Sequence, residues 1–233
     1  MSSTEAIWGF CEPIASWTHL AGAMIAVAIA RDLWRQGRTE RDLRAFAIFV
    51  TAASVALLMS GLYHALDPGD ARAVLRRLDH AAIWLLIAGT ITPVHLAAFR
   101  GVRRWLPLGI VWASALTGMV LKTVFFATFP EALGLVLYLA LGWLGAISGV
   151  MIARRFGVSA IRPLWIGGLF YSVGGIVSVI ETPPLIPGYL GHHELFHLAI
   201  LAALFAHYRF VAAVVARGHR ISPPPALLPA CAS

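Results

Sequence analysis

Apolar runs without a single charge recur along this chain, separated by short clusters of charge or of proline and glycine. Six of them span Pro13–Ala30, Ala45–Leu66, His80–Phe99, Trp105–Leu121, Ala132–Ala153 and Pro163–Ile180. A seventh runs from about His193 to Val215, with Glu194 at its start and Arg209 near its far end. A membrane-crossing helix needs about 20 mostly apolar residues, so each run is close to one crossing. Short alternating segments of the kind that build a β-barrel are absent. The pattern predicts an all-α membrane protein, a bundle of seven transmembrane helices.

Composition agrees. Apolar residues make up 59% of the 233 residues, charged residues 12%, and the mean hydropathy is +0.79. Soluble domains carry about 25% charged residues, so this chain lacks the polar surface to face water all round. Residues 1–220 read as one seven-helix domain, and residues 221–233, opening on Ser222-Pro223-Pro224-Pro225, as a disordered Pro-rich tail. The first ten residues carry no Lys or Arg. A basic leader is therefore missing, and the first apolar run is expected to remain as a helix. Cys11 and Cys231 sit near opposite ends and form no CxxC motif.

The net charge of +7 would suggest nucleic acid in a soluble protein. Here the basic residues occupy the gaps between crossings, where they report topology, and nucleic acid is not expected as a partner. On the side that holds the N-terminus lie Arg72, Arg76, Arg77 and Lys122. The other 14 of the 18 basic residues lie on the opposite side. That bias predicts a plasma-membrane protein of bacterial type with its N-terminus outside and its C-terminus in the cytoplasm.

Ionisable groups at membrane depth are costly and mark functional sites. Here they gather at one end. Ser60 and His64 close the second run, Asp79 and His80 open the third, and His192, His193, Glu194 and His197 open the seventh. Glu12 and His19 stand near the start of the first. Up-and-down connectivity brings all of them to the N-terminal side. His193 and His197, four residues apart, share one helix face. With His64 they form a three-histidine site with one open position, the pattern of catalytic zinc, although such imidazoles also accept Fe, Ni or Cu. Asp79 suits a helix N-cap as well as a site role, and Ser60 can also bond back to its own helix. His80 is read as structural, and His95 and His207 as interfacial.

Several ordered motifs resemble the hemolysin III / progestin-and-adipoQ-receptor family. Ser60-Gly61-Leu62-Tyr63-His64 is similar to its S-x-x-Y-H. Arg76-Arg77-Leu78-Asp79-His80 through Thr92-Pro93 is similar to its R-x-L-D-H … T-P. Gly167-Gly168-Leu169-Phe170-Tyr171 resembles its sixth-helix motif, and His193-Glu194-Leu195-Phe196-His197 its H-x-x-x-H. Glu12 and Thr18-His19 echo its first-helix motif, with Ala15 where the family carries Asn. The resemblance implies zinc on His64, His193 and His197, with Asp79 and Ser60 as catalytic residues. It also implies hydrolysis of lipid amides or esters of the ceramide type, membrane lipids being the substrate or ligand. The hemolysin name implies a pore as the alternative, and a zinc-containing receptor or stress sensor is a third. The adiponectin receptors place their N-terminus in the cytoplasm, opposite to the charge count here.

Overall fold

A computed structural model describes residues 10–35, 40–180, 183–187 and 189–217. Among them are seven helices and no strand beyond one isolated bridge, Ile186 with Leu190. The helices are α1 (Pro13–Arg35), α2 (Glu40–Ala65), α3 (Asp70–Ala98), α4 (Val102–Val124), α5 (Glu131–Phe156), α6 (Val158–Ile180) and α7 (His192–Arg217). All seven are long and apolar enough to cross a membrane. The expected tail, Glu181 and Cys231 fall outside the described residues.

The helices overrun the apolar runs. At 1.5 Å per residue, the 29 residues of α3 span about 43 Å, against a hydrocarbon core of about 30 Å. The Asp67–Asp70 cluster ends one helix and starts the next, so Arg72, Arg76 and Arg77 stand on the first turns of α3 and not in a loop. The α5–α6 connection is a single residue. Gly157, at φ 85°, takes a left-handed conformation that a side chain would strain, and its N–H bonds Ala153 O at 2.8 Å. Pro163 does not begin α6; it lies in the helix's second turn.

Each helix packs mainly on its neighbour in sequence: α2 on α1 and α3, α4 on α3, α6 on α5 and α7. Contact between α1 and α7 closes the ring, and α7 also touches α2 and α3. The middle of the bundle belongs to α3, with 72% of its apolar window buried, against 17% for α6. Met24, Ile25, Val102, Leu106, Val136, Ile147 and Leu169 are exposed, as a lipid-facing surface requires.

The glycines of α5 and α6 divide into two sets. A Cβ on Gly167 would lie 2.4 Å from the His207 ring and 3.0 Å from Ala203 O, so glycine there lets α6 and α7 meet. Gly142 and Gly168 meet nothing within 4 Å and border a cavity instead. Gly167→Val is therefore expected to cost roughly 1–3 kcal/mol through overpacking. Gly168→Ala should leave stability within about 0.5 kcal/mol. Thermal unfolding in detergent, followed by circular dichroism, measures both.

A candidate metal centre at the N-terminal side

The site begins with the start of α7. Glu194 is 1% exposed, and its Oε2 accepts the Gly191 backbone N–H at 2.8 Å. This is half of a capping box, in which the third helical residue reaches back to the N-cap. It fixes where α7 starts and puts His193 in the first turn and His197 one turn deeper. Glu194 is thus a buried capping residue.

Opposite stands the last turn of α2 with His64, 1% exposed. Its Nε2 lies 3.4 Å from His193 Nε2, and His193 Nε2 lies 3.0 Å from His197 Nε2. The ligand atoms of all three lie within 4.8 Å of one another. Nitrogens bound at about 2.0–2.1 Å to a tetrahedral zinc ion sit about 3.3 Å apart, so the spacing fits a shared ion. Uncharged imidazoles offer three lone pairs at one point, and the cluster could hold a metal ion.

Glu12, just before α1, and His19, on α1, orient two of the rings. His64 Nδ1–H donates to Glu12 Oε2 at 2.7 Å, leaving Nε2 free to bind. Glu12 is itself anchored by its N–H to His64 O at 3.0 Å and by an ion pair with Arg72. Burial alone would raise the Glu12 pKa. The His64 hydrogen bond, with the charges of His64, His193 and Arg72, overcomes that and lowers it to about 2. His197 Nδ1 faces His19 Nε2 at 3.1 Å, and His19 is 2% exposed. Outer partners of this kind fix tautomer and ring angle at metal sites. Sequence reasoning gave Glu12 and His19 no definite role. Their separation by seven residues, two helical turns, was the available signal.

Ser60, one turn before His64, is 4% exposed, and its hydroxyl has no hydrogen-bond partner within 3.5 Å. Asp79 is 15% exposed and interacts with His80, His64 and Ser60. Ser60, Asp79, His193 and His197 border one cavity of about 1050 Å³, which extends between α2, α3, α5, α6 and α7. His80 also borders the cavity, but its Nδ1–H donates to Arg76 O at 2.8 Å and its ring meets Phe126 edge-on. His95 and His207 are not interfacial. They are 2% and 7% exposed, at the far end of the same cavity, with His95 Nε2 2.9 Å from Ser148 Oγ and His207 Nε2 3.1 Å from Leu164 O.

The family model described as "Haemolysin-III related" matches residues 10–208. The chain belongs to the haemolysin-III-related family. It is 34% identical to the "Hemolysin-3 homolog" of Bacillus subtilis (strain 168) over 167 residues, covering 70% of this chain and 75% of that one. It is 32% identical to "Hemolysin-3" of Bacillus cereus over 187 residues, covering 79% and 82%. A more distant match, 23% identical over 212 residues, is the "Adiponectin receptor protein" of Drosophila melanogaster; it covers 82% of this chain but 48% of the receptor. Seven spanning helices and these relatives make the chain a multi-pass membrane protein.

The Glu12 bond to His64 makes a quantitative prediction. Glu12→Ala should weaken divalent metal binding by about 10- to 100-fold, the usual effect of losing an orienting partner. His193→Ala should abolish stoichiometric binding. Titration of the purified protein against a competing chelator distinguishes the two.

Proposed function

We propose that this chain is a zinc-dependent hydrolase that cleaves amide or ester bonds of membrane lipids, of the ceramide type. One observation carries the reading: three imidazole nitrogens stand at ligand spacing, and two of their rings border a membrane-depth cavity shared with Asp79 and Ser60. Zinc, once bound, supplies Lewis acidity that makes a water available as hydroxide near pH 7.

The chain's own residues do the rest. Glu12 and His19 hold His64 and His197 in the tautomer that presents Nε2. Asp79 takes the proton of the attacking water as general base and later returns it to the leaving amine or alcohol. Ser60, whose hydroxyl stands beside Asp79, donates a hydrogen bond to the oxygen that gains charge in the transition state. The cavity, at the upper end of the range for ligand sites, takes the apolar part of the substrate among Ile83, Leu86, Leu135 and Leu139.

The hemolysin name of the Bacillus relatives supports a second reading, cytolysis. A pore calls for a continuous polar stripe through the bundle, whereas the ionisable groups of this cavity stand at its two ends, with Ile83, Leu86, Leu135 and Leu139 in its lining. For orientation we propose that the 14 basic residues face the cytoplasm and the metal centre faces outward, in the plasma membrane. A C-terminal reporter active only in the cytoplasm should give signal, and a periplasm-dependent one should not.

Purified protein should contain about one zinc per chain and release fatty acid from ceramide or phospholipid, losing both in a His193→Ala/His197→Ala variant. Asp79→Asn should lower kcat by about 10²- to 10⁴-fold, and Ser60→Ala by about 10²- to 10³-fold, each with metal retained. Leakage of dye from liposomes without lipid cleavage would favour the pore instead.

A further inference from the structure

Lys122 entered the topology count as one more basic residue. The structure places it inside the spanning part of α4 at 2% exposure, bordering the large cavity. A lysine that merely anchored the helix would reach outward and hold its ammonium among lipid headgroups. This one turns inward. Its Nζ lies 4.9 Å from the Phe126 ring centre and 5.0 Å from that of Phe129. Among the described residues it makes no hydrogen bond and no ion pair.

Ring faces attract an ammonium but accept none of its three N–H bonds in the way an oxygen does. An ammonium at membrane depth with no acceptor from the protein is costly, so its persistence points to an acceptor that arrives from outside the chain, by way of the cavity it borders. A second cation stands beside it. The Arg76 guanidinium lies 5.2 Å from the centre of the same Phe126 ring and borders the same cavity. Its partner is Glu131, at 3.2 Å, in a pair whose side chains are 44% and 74% exposed. Such a pair is weak and readily exchanged. Glu131 also attracts Lys122, and His80 lies within the field of both cations. Two cations thus share one exposed carboxylate.

Position adds to the charge. Arg76 lies three residues before Asp79 on α3, so the two stand on one helix face about one turn apart. An anion held by Arg76 and Lys122 would sit close to the polar end of the cavity while the apolar lining takes the rest of the molecule.

We propose that Lys122 and Arg76 form an anion subsite at the cavity mouth, and that the ligand is an amphiphile carrying a phosphate or carboxylate on a single long chain. This rests on the cavity being the binding site of the hydrolase reading, but the binding itself needs neither metal nor turnover.

Three ligands with matched chains test it: oleyl phosphate, oleate and oleyl alcohol. Their binding is measured by quenching of tryptophan fluorescence in detergent-solubilised protein stripped with chelator, so that no metal can attract the acid group. The two anions should bind at least about tenfold more tightly than the alcohol, the scale of a charge-assisted hydrogen bond. Lys122→Met should erase that preference without weakening alcohol binding, and Lys122→Arg should restore most of it. Whichever anion binds more tightly identifies the headgroup chemistry. Equal affinity for all three in the unaltered protein overturns the proposal, and that arm needs no variant to fold. So does an anion preference that survives in Lys122→Met. Competition by inorganic phosphate at millimolar concentration, equally strong whether the chain ligand is charged or neutral, overturns the amphiphile in favour of a soluble anion. Anion preference together with an absence of hydrolysis in the zinc-loaded protein would leave this subsite standing and remove the hydrolase reading.

Discussion

Three ring nitrogens within 4.8 Å of one another inside an apolar bundle, that of His193 lying 3.4 Å and 3.0 Å from the other two, are the constraint on which the rest of the site depends. Neutral imidazoles at that spacing have too few N–H groups among them to satisfy one another, and lipid offers no substitute. Each ring must therefore be aimed by something else. His64 is aimed by Glu12 and His197 by His19, so α1 and the residue just before it act as a brace behind α2 and α7. Arg72 brings α3 into the same network through Glu12.

Backbone capping supports the same point. Glu194 sits inside the motif His193-Glu194-Leu195-Phe196-His197, and its flanking position looks incidental in the sequence. Its bond to the Gly191 N–H sets the first residue of α7. A start one residue earlier or later would rotate both histidines by about 100° around the helix axis and take them away from His64. The motif therefore combines two presented side chains with one that fixes the register of presentation.

The cavity separates this bundle from a closely packed one. Some glycines of α5 and α6 allow helices to touch, as Gly167 does against His207, while Gly142 and Gly168 leave space. Small residues serve opposite purposes on adjacent positions of one helix, and only the neighbour across the gap decides which. The result is a chamber with buried polar groups at both ends: the histidine cluster, Asp79 and Lys122 at one, His95 and His207 at the other.

By itself the sequence determined the number of the helices and roughly where each lies, because a bilayer demands about 20 apolar residues per crossing and charges mark the turns. It also determined that His64, His193 and His197 lie at one level, since up-and-down connectivity alternates the ends. What it left open was the rotation of each helix about its own axis. In a soluble helix an apolar stripe reveals the buried face. Here the lipid-facing and core-facing sides are both apolar, so the stripe is faint. Everything that hangs on rotation or on cross-helix neighbours came from the tertiary structure alone. That includes the Glu12 and His19 contacts, the inward turn of Lys122, and the burial of His95 and His207, which the sequence placed at the membrane surface.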